Sequence, residues 1–193
     1  MVISKQDPKA LELAVSILKK GEIIIIPTDT VYGFSGIIPF TKEKIIKIKK
    51  RGAEKSFIGL IEKPQDIYKY TDTFIPSYIL ELWPAPLSII VKDRTGGGTS
   101  AFRCPDDKWL RDLIGKTGSP IYSTSVNYSG EPVLSNIGDI IREFEDKVSL
   151  IIDGGEQKGL ASTIVSLIDK EPCIIRQGSL NLSFLTSSEK LSK

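Results

Sequence analysis

Three short stretches of this 193-residue chain concentrate side chains able to do chemistry. The first is Pro27-Thr-Asp-Thr-Val-Tyr-Gly33, where Thr28 and Thr30 flank Asp29, so that two hydroxyls face one side of an extended segment. It follows an aliphatic run, and open α/β sheets bind ligands beyond the carboxyl ends of their strands. A simple turn whose threonines satisfy backbone groups would read the same way. The second stretch, Lys49-Lys-Arg-Gly-Ala-Glu-Lys55, closes a basic region. Seven basic and two acidic residues between Lys42 and Lys55 give a local +5 in a chain whose overall formal charge is +2. Such a concentration suits a polyphosphate or a nucleic-acid backbone, with Arg51 able to grip two oxygens at once. A solvated helix face has the same composition. The third, Ser123-Thr-Ser-Val-Asn-Tyr-Ser-Gly130, offers hydroxyls, an amide and a glycine after an apolar run, either as a nest of donors for an anion or as a polar turn.

The chain has no histidine. That excludes Ser-His-Asp and Cys-His catalysis and every His-ligated zinc site. Cys104 and Cys173 are too few for a disulfide scaffold and form no CxxC pair, so a reduced, cytosolic setting is expected and both thiols are read as structural. Chemistry must rest on carboxylates, hydroxyls, lysine, arginine, backbone amides or a metal brought in by the substrate. Neither a secretory leader nor an apolar run of membrane-spanning length is expected; the longest purely aliphatic run is Ile23 to Ile26.

The elements that must position these residues alternate in type. Asp7-Pro8 starts a helix whose apolar face is Leu11, Ala14, Val15 and Leu18 and whose stop is Gly21. Glu22 to Ile26 reads as a buried strand and Pro27 to Gly36 as a polar loop, with Thr41 capping a second helix. Phe57 to Ile61, Leu87 to Val91, Pro120 to Thr124, Val148 to Ile152, Ser162 to Leu167 and Cys173 to Arg176 are strand-like. Pro64 to Trp83 is helical in pieces, and Asp106 to Ile114 and Asn136 to Phe144 are helical. Thr99 and Arg103, four residues apart on a strand, share a face. The pattern predicts an α/β fold, a twisted mixed β-sheet flanked by helices, in one domain over 1–193 with its core at about 7–182 and a polar tail at 187–193.

Taken in order, IPTDTVYGFSG, KKRGAEKSF, LWPAPLSIIV, TSAFRCP, STSVNYSGEPVLS, DGG, ASTIVSL and IIRQGSL resemble the YrdC-like family, the threonylcarbamoyl-adenylate synthases of tRNA modification, in its single-domain form. The resemblance implies condensation of L-threonine, bicarbonate and ATP to threonylcarbamoyl-AMP and pyrophosphate, for modification of adenosine 37 of tRNA. ATP would be a substrate, with Mg²⁺ carried by the nucleotide and no protein-bound metal site. It assigns Lys49 and Arg51 to catalysis. It places Arg51, Lys55, Thr99, Asn127, Ser135 and Arg176 at ATP, and Thr28, Thr30, Arg103, Ser125 and Ser162 at threonine. Direct double-stranded RNA or tRNA binding, downstream transfer proteins and a cytoplasmic location are further expectations of the resemblance. The chain departs from the family pattern at Gly52 and Ser56, where proline is frequent, at Leu60, where histidine is frequent, and at Val126, where alanine is usual. Two other readings of the same residues are a non-catalytic RNA-binding module built on Lys42 to Lys55 and a family relative with a different carbamoylation substrate.

Overall fold

A computed structural model describes residues 1–50, 52, 57–157, 159–169 and 171–185. Its centre is one ten-stranded sheet in the order β1-β8-β2-β3-β7-β4-β6-β5-β9-β10. The strands are β1 (Val2–Ser4), β2 (Ile24–Ile26), β3 (Gly33–Ile37), β4 (Ile58–Leu60), β5 (Leu87–Lys92), β6 (Thr99–Arg103), β7 (Ile121–Ser125), β8 (Leu150–Asp153), β9 (Thr163–Ser166) and β10 (Cys173–Arg176). Among the described residues five helices accompany them: α1 (Ala10–Lys19), α2 (Lys42–Lys49), α3 (Ser77–Leu80), α4 (Lys108–Thr117) and α5 (Ile137–Phe144). The sheet is mixed: β2 runs parallel to β8 and antiparallel to β3, while β4 runs parallel to β6 and antiparallel to β7.

The aliphatic run at β2 is explained by burial on both faces. Ile24 and Ile26 join Leu60, Ile121, Leu150 and Ile152 under α1 and α4, whereas Ile23 and Ile25 join Phe34, Ile45, Ile140 and Phe144 under α2 and α5. At the other end of the sheet, Leu87, Ile89, Val91 and Phe102 pack on Ile67, Ile79 and Trp83, from the segment that reads as helical in pieces: a 3₁₀ turn over Pro64–Lys69 and the single turn of α3. Trp83 is core, its Nε1 donating to the Leu87 carbonyl.

Helices α1 and α4 therefore cover only the β8-to-β4 part of their face. Beyond them, along β6, β5 and β9, that face carries Arg103, Ser88 and Ile164 with no helix over it among the described residues.

Four expectations need correction. The segment read as a loop to Gly36 becomes a strand at Gly33, because Phe34 and Ser35 are wholly buried between β2 and β7. Thr41 does not cap α2 through its side chain; its hydroxyl turns back to donate to the Ile37 carbonyl. The helix expected from Asp106 is capped one residue later, where the Asp107 carboxylate accepts the Leu110 N–H. The sheet also takes in Val2–Ser4, ahead of residue 7, through parallel pairing with β8. The polar tail at 187–193 lies outside the described residues.

Candidate active site

The uncovered stretch of sheet opens into a cavity of about 470 Å³. Thr28, Thr30, Arg103, Ser123, Ser125, Ser162 and Arg176 bring polar groups to it, and Val31, Phe57, Ile58, Val133, Leu160 and Ile164 supply its apolar walls. Strand alternation places the floor: Ile58 lies opposite Ser123 and Arg103 opposite Leu60, so these four side chains share one face.

Of the two guanidiniums lining the cavity Arg103 is the deeper, 3% exposed at the end of β6. Its Nη1 donates to the Thr30 hydroxyl at 3.1 Å, and its Nη2 lies 3.2 Å from Oδ1 of Asp29. The contact with Oδ1 is not an aligned hydrogen bond, so the attraction there is coulombic, and Oδ2 of Asp29 accepts the Asp106 N–H. The Nε of Arg103 is buried with no hydrogen-bond partner. Burial lowers the Arg103 pKa; Asp29 opposes that and the charge of Arg176 adds to it. The site thus holds two mutually repelling guanidiniums, an arrangement that favours an anionic ligand.

The second guanidinium, Arg176 on β10, grips the Ser162 carbonyl through Nε (3.2 Å) and Nη2 (2.7 Å) and reaches the Ser162 hydroxyl at 3.3 Å. That hydroxyl also meets the Ser88 hydroxyl at 2.9 Å, tying β5 to β9 under the cavity. Burial lowers the Arg176 pKa as well.

The threonine loop is built to stay in place. The hydroxyls of Thr28 and Thr30 are 3.0 Å apart, and that of Thr28 donates to the Val31 carbonyl. Tyr32 donates from its hydroxyl to the Gly155 carbonyl and accepts the Gly154 N–H, joining this loop to the Asp-Gly-Gly turn after β8. Burial raises the Tyr32 pKa, which keeps the phenol protonated. A Cβ on Gly159 would fall 2.1 Å from the Thr30 carbonyl oxygen, so only glycine lets the backbone at 159 lie this close.

Lys49 occupies a different position. It is 2% exposed, does not line the cavity, and its Nζ donates to the Ser125 carbonyl and to both the carbonyl and Oδ1 of Asn127. Asn127 Oδ1 also accepts from the Ser125 hydroxyl, while its Nδ2 donates to the Glu131 carbonyl. Lys49 and Asn127 therefore hold the Ser125 loop from behind. Of the other expected residues, Thr99 is exposed at the far end of β6, and Ser135 is half-buried with its carbonyl accepting the Gln157 N–H; neither lines the cavity. Arg51 and Lys55 lie outside the described residues. Leu60 is wholly buried in the core beside Arg103 in register. Among the described residues there is no cluster of three or more His, Cys, Asp or Glu side chains that could hold a metal ion, and no helix is long and apolar enough to cross a membrane.

Two residues at this site escape sequence reading. Asp29 sits inside the first stretch, but strict alternation turns it away from the threonines; the loop is not a regular strand, and Asp29 faces Arg103 instead. Ser88 is a lone hydroxyl within an aliphatic strand, and an inward serine in such a run is the signal that could have found it.

The sequence model of the Sua5/YciO/YrdC family, described as telomere recombination, matches residues 16–178. The chain belongs to this family. Threonylcarbamoyl-AMP synthase of Pyrococcus abyssi is 28% identical over 186 residues, which cover 89% of this chain and 55% of that protein. The Bacillus subtilis enzyme of the same name is 27% identical over 193 residues, 92% of this chain and 56% of that one. The chain thus spans about half the length of these curated relatives. The crystal structure of P. abyssi Sua5 complexed with L-threonine superposes with a TM-score of 0.86 at 26% identity, covering 96% of this chain and 59% of that one. Escherichia coli YciO, at 23% identity, shares the fold over 94% of this chain and 95% of its own, with a TM-score of 0.79. The mixed open sheet with flanking helices is the family's fold.

Proposed function

We propose that the chain is an L-threonylcarbamoyladenylate synthase. The observation that carries this reading is the convergence of Thr28, Thr30, Arg103, Ser125, Ser162 and Arg176, drawn from five separate sequence segments, on one cavity with two guanidiniums. The names of the curated relatives and the threonine complex of the P. abyssi protein support it.

In this reading the threonine carboxylate sits against the Arg103 guanidinium, with Thr28, Thr30, Ser125 and Ser162 around the amino acid. The threonine amine takes up bicarbonate-derived CO2 and loses a proton, giving a carbamate. A carbamate oxygen then bonds to the α-phosphorus of ATP as the bond to the β-phosphate oxygen breaks, and pyrophosphate leaves. An anionic nucleophile needs no histidine base; it needs alignment and neutralised phosphates. Arg176, Arg51 and Lys55 supply positive charge, and Thr99, Asn127 and Ser135 complete the ATP contacts on the family pattern. Lys49 acts by holding the Ser125–Asn127 loop. Mg²⁺ enters with the nucleotide: among the described residues the cavity lining offers hydroxyls and guanidiniums and no carboxylate, and Asp29 beside it is engaged with Arg103. The product passes to proteins that modify tRNA adenosine 37, in the cytoplasm.

Pyrophosphate release, assayed with each amino acid in turn, tests this. Threonine- and bicarbonate-dependent release is expected. RNA binding with no response to ATP or threonine would replace the reading with the RNA-module one. Leu60 presents no polar atom to the site, so rejection of serine rests on the threonine methyl, worth about 10–200-fold; equal use of serine would show that the methyl is not recognised.

A further inference from the structure

A second cavity, of about 300 Å³, lies back to back with the first across the same strands. Where Ile58, Arg103 and Ser123 face the candidate active site, Phe57, Gly59, Phe102 and Tyr122 face the opposite way. Four aromatic rings line this second space: Tyr70 stacks on Phe102 with centroids 5.0 Å apart, and Phe57 meets Tyr122 edge-on at 5.6 Å. Gly59 lies between them without a side chain, and a Cβ there would come within 3.1 Å of the Phe102 ring. The hydroxyls of Tyr70 and Tyr122 make no hydrogen bond among the described residues.

The charges around this cavity are unequal in what they leave over. Both rim cations are paired, Lys69 with Asp66 at 2.7 Å and Arg94 with Asp72 at 2.9 Å. Asp93 has neither a cation nor a side-chain hydrogen bond among the described residues, so one negative charge remains beside the rings. Aromatic walls with a single uncompensated carboxylate match the chemistry that recognises organic cations: the ring faces attract the charge and the apolar walls accept alkyl groups. Among the described residues, an anion would meet Asp93 with no unpaired lining cation to oppose it.

We propose that this cavity binds a small alkylated or quaternary ammonium group, held by the aromatic walls and Asp93. The proposal does not depend on the synthase reading, because none of these side chains touches the first cavity except Phe57, which borders both.

The test uses the full chain and two probes of one shape, tetramethylammonium chloride and uncharged tert-butanol, at matched ionic strength. Amide NMR shifts report the site. Tetramethylammonium should give saturable shifts at Gly59, Tyr70, Phe102 and Tyr122, and tert-butanol should not. In Asp93→Asn, an isosteric change at a partly exposed position, affinity should fall at least about fivefold. Unsaturable shifts, shifts confined to other surfaces, an equal response to tert-butanol, or unchanged affinity in Asp93→Asn would each overturn the proposal.

Discussion

Arg103 and Lys49 are both cations removed from water, and the family resemblance assigns both to the site, yet their surroundings differ in kind. Lys49 gives its ammonium protons to two backbone carbonyls and an amide oxygen of the loop it supports. Arg103 is held on one side by Asp29 and Thr30, keeps its Nε unpartnered, and lines the cavity. A buried cation whose donors all end on the protein positions structure; one that lines a polar cavity is placed for a ligand.

The largest effect expected from this contrast is on stability at Lys49. Lys49→Met would leave three part-buried oxygens without their charged donor, at a cost of about 3–5 kcal/mol. Urea unfolding monitored by Trp fluorescence reads that loss. A Lys49→Met protein of wild-type stability that lost only ATP affinity would move Lys49 from the scaffold to the binding site.

Asp29→Asn sharpens the other half of the contrast. The side chain keeps its shape but no longer offsets the Arg103 charge, so the guanidinium loses part of its orientation. Threonine KM should rise about five- to tenfold with kcat little changed, and Asp29→Glu should restore part of it. A fall in kcat at constant KM would place Asp29 in the chemical step.

The smallest effect is expected at the thiols. Burial pushes the Cys104 pKa up to about 12, and its Sγ donates to the Glu62 carbonyl, whereas Cys173 is exposed on β10. A pKa raised in the folded state contributes stability below the unfolded value, near 9, and loses it as pH climbs from there toward about 12. Iodoacetamide at pH 8 should therefore label Cys173 alone, with Cys104 reacting only on unfolding, and replacing both by alanine should leave turnover near wild type. Fast labelling of Cys104 in the folded protein would contradict its burial.

Much of this architecture is legible in local patterns. The aliphatic run of β2, the Asn136 cap of α5 and the apolar stripe of α1 report burial and backbone chemistry that neighbouring residues determine. Strand β3 is not legible, because Gly33, Ser35 and Gly36 look like loop residues until β2 and β7 close on them; Ser123 and Thr41 fill the space beside those glycines, where a Cβ on Gly33 would strike the Ser123 hydroxyl and one on Gly36 would strike Thr41. The same limit applies at the site. Residue types mark Thr28 and Thr30, and the family resemblance adds Arg103 and Arg176, but the roles of Asp29 and Lys49 depend on partners 74 and 76 to 78 residues away along the chain, which no local pattern encodes.

Calorimetric titration of L-threonine into the wild-type chain and Arg103→Ala, each with and without ATP, tests the central claim most directly, that the uncovered sheet face is a threonine site organised by Arg103. A lost charge-assisted contact predicts about 10- to 150-fold weaker threonine binding in the variant, with binary ATP affinity nearly unchanged. Circular dichroism and urea unfolding of the same samples, with Arg103→Lys alongside, establish that the variant is folded. Threonine affinity that survives in folded Arg103→Ala, or a wild-type chain that binds no threonine, would contradict the account.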